Sequence, residues 1–259
     1  MAVTGRPRTY VGDRPATPAE RQARWRRQHR PTMAPDVVCR TLGACTLYCS
    51  RWEDLYALLP RQAAVITDPP YKVGPRGYDV TRARRGPPPW TQNFAGYDRD
   101  FDPTPWLRFP EVMLMGAERY YHQLPPGGSF CCWDKLAGTT PADFAVGELI
   151  WRSTPGTLQV FRHLWRGGMR AGEENYTNLP QKLHPAQKPV ALMRQCVQLI
   201  TPGRVIIDPF MGSGSTLVAC VREGYPCIGI EINPDYFATA CARVEAELQQ
   251  LALFPREPA

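Results

Sequence analysis

The sequence predicts an α/β fold with helices packed on a largely parallel sheet, and three stretches carry that prediction. Ala63-Ala64-Val65-Ile66-Thr67 is a short apolar run that stops at Asp68-Pro69-Pro70-Tyr71, as a strand buried in a parallel sheet does. Pro189 to Ile200 repeats apolar residues at Val190, Met193, Val197 and Ile200, the spacing of a helix with one buried face. Arg204-Val205-Ile206-Ile207, a glycine turn, a helix ending at Gly224 and the run Cys227-Ile228-Gly229-Ile230-Glu231 form a strand-helix-strand unit. The handedness rule makes its two strands parallel neighbours.

The remaining elements follow in order. Thr17-Pro18-Ala19-Glu20 is a capping box with proline at the first helical position, predicting a helix over about 18–29 that stops before Pro31. Val37 to Tyr48 holds short β-like runs, and Glu53 to Leu59 reads as a helix closed by Pro60. Residues 72–110 read as irregular, with the cluster Pro87-Pro88-Pro89-Trp90. Glu111 to Gln123 is then expected to be a helix, broken by Pro126-Gly127-Gly128. Ser129 to Trp133, Phe144 to Trp151 and Leu158 to Trp165 read as strands, the last two joined at Pro155-Gly156, and 167–183 as a polar loop. Pro234 opens a final helix through Gln250.

Composition narrows the class. The 259 residues, 43% of them hydrophobic, suffice for one large domain, and 28 prolines favour ordered loops over long helices. No apolar run approaches the ~18 residues of a membrane span, so a soluble, unsecreted, cytoplasmic chain is expected. The nine cysteines (39, 45, 49, 131, 132, 196, 220, 227, 241) have no zinc-knuckle spacing, and none of the four histidines sits beside one at ligand distance. Reduced core thiols and no metal are expected, Cys227 among the core thiols.

The net charge of +7 is uneven. Residues 1–30 hold eight arginines, among them Arg21, Arg24, Arg26 and Arg27, against Asp13 and Glu20; this arm carries +6, leaving +1 for the rest. Two readings stay open for residues 1–35: a solvated tail, or a phosphate-contacting arm that gains affinity by counterion release. Residues 36–259 form the main domain.

Two constellations carry chemistry. In Asp208-Pro209-Phe210-Met211-Gly212-Ser213-Gly214-Ser215-Thr216, the glycines let a ligand approach the backbone, and the following helix offers free N–H groups. Glu231, 17 residues past Gly214 at the end of the adjacent strand, is placed to accept from two ribose hydroxyls. The third glycine of a dinucleotide fingerprint and the lysine of a phosphate loop are both missing, so an adenosyl group without phosphates fits better. In Asp68-Pro69-Pro70-Tyr71 the prolines withhold two N–H groups, leaving an acceptor-only edge that suits a planar amine, beside an aromatic face for a base.

With His184-Pro185-Ala186-Gln187-Lys188-Pro189, these segments resemble the amino-group DNA methyltransferases, in the order of their permuted β class; compact phage and prophage members look most similar. The likeness is good over 37–76 and 184–245 and loose over 111–166. It implies a Rossmann-like S-adenosylmethionine-dependent methyltransferase fold, a mixed seven-stranded sheet with helices on both faces and circularly permuted motif order. It further implies that Asp208, Pro209, Phe210, Gly212, Gly214, Ser215 and Thr216 line an S-adenosylmethionine pocket, with Glu231 on the ribose. His184, Gln187, Lys188 and Pro189 would close it around the methionine part. Asp68 and the Pro69 carbonyl would hold the target amine, Pro70 would stiffen the loop, and Tyr71 would stack on a flipped base. Aspartate at position 68 matches the adenine-N6 enzymes more often than the cytosine-N4 ones, which commonly have serine. The implied partner is double-stranded DNA, with no membrane and no metal; homodimer formation stays open.

Two departures qualify the likeness. Family members often carry Gly-Asp after a Leu-Tyr-x strand, whereas Leu47-Tyr48-Cys49 is followed here by Ser50-Arg51, leaving Glu53 or Asp54 as substitutes. The chain also lacks room for a separate recognition domain, so target reading falls to 72–110 (with Arg82, Arg84 and Arg85), to 167–183 or to the arm. Trp165 is read either as a base-stacking residue or as a core tryptophan. A cytosine-N4 enzyme and a catalytically weak DNA-binding protein on the same scaffold are the alternatives.

Overall fold

A computed structural model describes residues 10–11, 14–15, 37–70, 100–138, 146–166, 169–171, 184 and 186–253. The chain divides into two units, Met1–Pro35 and Asp36–Ala259. In the first, β1 (Tyr10–Val11) pairs antiparallel with β2 (Arg14–Pro15). The helix expected over 18–29, with Arg21, Arg24, Arg26 and Arg27, lies outside the described residues, as do Tyr71, Arg82, Arg84, Arg85 and Pro185.

The second unit is organised by a mixed sheet. Its strands begin with β3 (Val38–Leu42), β4 (Cys45–Cys49), β5 (Ala64–Thr67), β6 (Glu111–Met115), β7 (Ser129–Asp134), β8 (Gly147–Arg152) and β9 (Gln159–Arg162). A separate hairpin, β10 (Trp165–Arg166) with β11 (Met169–Arg170), follows, and β12 (Ile206–Asp208) and β13 (Cys227–Glu231) complete the sheet. The spatial order is β3-β4-β13-β12-β5-β6-β8-β7-β9. The five neighbours from β4 to β6 run parallel, and β3 and β8 join antiparallel.

Nine strands stand where seven were expected, and two places account for the difference. The runs before Tyr48 resolve into a complete hairpin, with Leu42 paired to Cys45. Residues 111–115, expected to open a helix, instead form β6. All five are buried, and the strand is flanked by β5 and β8 with both faces covered. Such a strand reads as an unbroken apolar run, which periodicity alone does not separate from a buried helix. Gly116, at φ 67°, then turns the chain into two short 3-10 turns, Ala117–Arg119 and Tyr121–Gln123. The one acid in β6 is satisfied, since Glu111 pairs with Arg204 at 2.7 Å and accepts the Thr201 N–H at 3.0 Å.

Alternation along the central strands feeds two cores. Ala64, Ile66, Met113, Met115 and Ile206 pack with α2 (Val190–Val197), α3 (Ser215–Glu223) and α4 (Pro234–Leu253) on one face. Val65, Val112, Leu114, Ile207 and Ile230 face the other side, under α1 (Trp52–Leu55), its 3-10 extension and the Trp106–Arg108 turn. Helices α2 to α4 thus cover one face, and shorter helical pieces with aromatic side chains cover the other. Pro234 opens α4 as expected, and Asn233 caps it by accepting the N–H groups of Asp235 at 2.8 Å and Tyr236 at 3.3 Å.

Topology fixes where a ligand can sit. After β12 the chain crosses to β13 on one side, whereas after β5 it crosses to β6 on the other. The carboxyl ends of β12 and β5 therefore flank a switch point, where open α/β sheets leave a crevice. Asp208 closes β12 and Asp68 follows β5 directly.

Candidate active site

A cavity of about 1020 Å³ opens at that crevice. Asp68, Pro70, His184, Gln187, Lys188, Asp208, Pro209, Phe210, Gly212, Ser215, Thr216 and Glu231 all line it. Residues distant in the chain, singled out for two separate tasks, thus face one space. Pro69, Gly214 and Pro189 do not line it; Pro189 instead precedes α2, where its carbonyl accepts the Met193 N–H.

The glycine turn is held from three sides. Gly214 sits at φ 80°, and a Cβ there would lie 2.9 Å from the Ala240 Cβ, so α4 reaches the turn only because residue 214 has no side chain. Arg243, one turn further along α4, donates to the Ser213 carbonyl at 2.6 Å and to the Ser213 hydroxyl at 3.1 Å. On the open side the His184 imidazole lies 3.4 Å from where a Gly212 Cβ would be, and its ring packs edge-on against Tyr236 at 4.4 Å.

Glu231 belongs to the same turn. One carboxylate oxygen accepts the Gly212 N–H at 3.0 Å and the other accepts the Asn233 N–H at 2.8 Å. Burial pushes its pKa up, and these backbone donors offset part of that rise. Each oxygen keeps a further lone pair, so both can accept a hydroxyl from the cavity.

Asp208 joins the two constellations. Its oxygens accept the hydroxyls of Thr67, at 2.7 Å from the end of β5, and of Thr216 on α3, while the Phe210 N–H donates at 3.1 Å. Asp208 is 3% exposed, and burial drives its pKa up to about 6 against the pull of these donors. The linkage sign follows. A carboxyl with a native pKa above its unfolded value of about 3.9 favours the folded state below that value, and loses the contribution as pH climbs toward 6. Across that window the loss is about 3 kcal/mol. Asp208→Asn removes the titration. Relative to the parent it should therefore gain stability in urea unfolding between pH 4.5 and 7.5; parallel pH profiles would contradict the assignment.

The third group is one the sequence did not bring together. Lys188 donates to Asp68 Oδ2 and lies 3.4 Å from Glu148 Oε1, and Lys135 reaches Glu148 Oε2 at 2.7 Å. Burial pushes the Asp68 carboxyl up, offset by Lys188 and reinforced by Glu148. Glu148 moves the other way: burial would raise it, but Lys188 and Lys135 together hold it below the usual carboxylate range. Asp68 Oδ1 is buried and, among the described residues, accepts no hydrogen bond.

Aromatic rings also line the cavity. Trp106 is fully buried, 4.9 Å from Trp52 and 6.1 Å from Phe210, and all three line the cavity. Trp106 and Trp52 were not singled out in the sequence; a tryptophan at 106 and a tryptophan at 52 have no common motif. Glu53, one of two acids offered in place of the missing Gly-Asp, lines the cavity and pairs with Arg51 at 3.2 Å; Asp54 is not among the lining residues. Trp165 packs against the core and donates its indole N–H to the Gln187 carbonyl at 3.2 Å, which anchors the segment carrying Lys188. Cys227 is buried as expected, with its sulfur 3.0 Å from that of Cys45.

Among the described residues no group of three or more His, Cys, Asp and Glu side chains is arranged to hold a metal ion, and no helix is long and apolar enough to cross a membrane.

Known proteins bear on this site. The DNA methylase family model (N6_N4_Mtase) matches residues 151–242. The type II methyltransferase M.ScaI of Streptomyces caespitosus is 40% identical over 76 residues, which is 29% of this chain and 25% of that protein. M.Cfr9I of Citrobacter freundii, another type II methyltransferase, is 42% identical over 65 residues, 25% of this chain and 22% of that one. The matched part thus spans about a quarter of these curated relatives. Among solved structures, the M1.HpyAVI–SAM complex aligns with 77% of this chain and 98% of its own at 21% identity and a TM-score of 0.45. PvuII DNA methyltransferase (cytosine-N4-specific) aligns with 82% and 92% at 16% identity and a TM-score of 0.48. Residues 151–242, the part that resembles the DNA methylases, run from the end of β8 into α4 and include the glycine turn and Glu231.

Proposed function

We propose that this chain transfers a methyl group from S-adenosylmethionine to adenine N6 in double-stranded DNA, on a base turned out of the helix. The observation that carries the reading is Asp68 Oδ1, a buried acceptor without a partner, in the same cavity as the Gly212 to Gly214 turn and Glu231. When bound, S-adenosylmethionine supplies a methyl group on a positively charged sulfur.

The residues present fit that molecule. The strained glycine turn gives a close backbone approach, and Glu231 offers lone pairs to ribose hydroxyls. The Trp52, Trp106 and Phe210 rings supply a flat apolar wall for an adenine ring. Asp68 and the Pro69 carbonyl then act on the target. An amino group conjugated with a base is a poor nucleophile, and accepting its two hydrogens favours a pyramidal nitrogen with its lone pair directed at the methyl group. Positioning and electrostatics do most of the work, and Asp68 takes up the proton the methylated nitrogen sheds. Tyr71, outside the described residues, would stack on the base. The order of the two constellations in the chain, Asp68 before the glycine turn, supports the permuted class, and the type II names of the curated relatives support a modification role beside a restriction enzyme. Residues 72–110 and 167–183, with the arginine arm, remain the segments proposed to read DNA.

Adenine rests on Asp68. Nucleoside mass spectrometry of DNA from a methylation-deficient host expressing the chain should show N6-methyladenine rising. A rise in N4-methylcytosine instead would overturn the base assignment, and no change in either would overturn the activity.

A further inference from the structure

Four charged side chains from four segments form an unbroken line behind the proposed catalytic loop. Asp68 follows β5, Lys188 precedes α2, Glu148 lies in β8 and Lys135 follows β7. Their side chains are 19%, 12%, 6% and 22% exposed respectively; Asp68 and Lys188 line the cavity, and Glu148 is the most buried of the four. The signs alternate and sum to zero. Lys135 also lies over the Trp133 ring at 4.7 Å, which fixes the outer end.

Resting on the methyl-transfer reading, we propose that Glu148 and Lys135 are positioning residues that act on Asp68 through Lys188: Glu148 shares the lysine's attraction and loosens its hold on Asp68, Lys135 limits that effect, and one Asp68 oxygen is left for the target amine. Neither touches the cavity, and neither belongs to a motif of the glycine turn or the Asp68 loop.

The geometry requires such a device. A carboxylate buried alone takes up a proton, and a protonated Asp68 would meet the amine with a donor. Lys188 opposes this by bonding Oδ2, and among the described residues Oδ1 has no hydrogen-bond partner. Yet a lysine given wholly to Asp68 would draw charge from the acceptor and hold the side chain rigidly. Glu148 divides the ammonium's attraction between two acids, at a distance of 3.4 Å that is long for a hydrogen bond and still a strong ionic contact in a buried setting. Lys135 in turn keeps Glu148 ionised. Among the described residues, Asp208 at the end of β12 also interacts electrostatically with Asp68.

This arrangement makes predictions of opposite sign. Glu148→Gln removes a negative charge that competes with Asp68 for Lys188, so Asp68 should titrate at lower pH than in the parent. Lys135→Met keeps the apolar packing on Trp133 and strips Glu148 of one partner, so Asp68 should titrate at higher pH. The readout is the carboxyl-carbon NMR titration of Asp68 in the full chain without cofactor, assigned by its loss in Asp68→Asn. Each displacement should be roughly half a pH unit or more. The acidic limb of single-turnover transfer should move in the same two directions, and Lys135→Arg should restore the parent profile. Displacements that are absent, or of the same sign in both variants, would overturn the proposal; a merely structural pair would give that result. Opposite displacements in a chain that transfers no methyl group would support the charge line and sink the function reading instead.

Discussion

Asp68→Ala should lower single-turnover methyl transfer about 10³-fold while S-adenosylmethionine affinity, read by calorimetry, stays within about threefold of the parent. The size follows from the role proposed for the carboxylate. In the proposed reaction its Oδ1 accepts from the amine as positive charge builds on nitrogen, an interaction that strengthens toward the transition state and so falls on the chemical step. Alanine also deprives Lys188 of the Asp68 carboxylate, and taking one partner from a buried ion pair costs stability. Asp68→Asn separates the two effects. It keeps the shape and one acceptor, yet its amide can present a donor to the amine or to Lys188, so it should fold and still lose most of the rate. If alanine and asparagine weaken cofactor binding as strongly as transfer, Asp68 holds the site together and is not the acceptor for the amine.

Much of this arrangement was legible in the sequence because each half is local. The glycine turn, its flanking strand and helix, and the acid at the end of the next strand lie within 24 residues, and backbone rules fix their order in space. The tetrapeptide at 68–71 was legible because a buried strand ends in a loop at the carboxyl edge of a sheet. Their meeting was not local. It depends on β5 lying beside β12, and the Thr67–Asp208 hydrogen bond spans 141 positions. The Asp68–Lys188–Glu148–Lys135 line was invisible for the same reason, since its members are single charged residues on four segments. β6 was misread because Glu-Val-Met-Leu-Met fits a helix as well as a strand, and only its neighbours on both sides decide. The aromatic wall gave no signal at all: Trp52 and Trp106 are 54 positions apart and meet only because α1 and the 106–108 turn cover the same face.

Glu231→Ala should weaken S-adenosylmethionine binding by about 100-fold, with Glu231→Gln between it and the parent. In the structure both oxygens of this acid are committed to the backbone, one to Gly212 and one to Asn233, and a ligand must use the lone pairs that remain. Hydrogen bonds to a charged group contribute roughly 1.5–3 kcal/mol each, so even at the low end losing both ribose contacts passes the ~100-fold mark. Glutamine keeps a single acceptor oxygen and turns its NH₂ toward one of the two N–H donors, which retains one contact and repels the other. Burial raises the Glu231 pKa, so binding should also weaken as pH falls into its titration range, where a protonated oxygen can no longer accept from every side. The ribose assignment is checked with an analogue of the cofactor lacking the 2′-hydroxyl. The parent should lose affinity for it, and Glu231→Ala, already without that partner, should bind both forms alike, a coupling that only a direct contact produces. An undiminished penalty for the missing hydroxyl in Glu231→Ala would move the ribose elsewhere in the cavity and leave Glu231 as the clasp of the glycine turn.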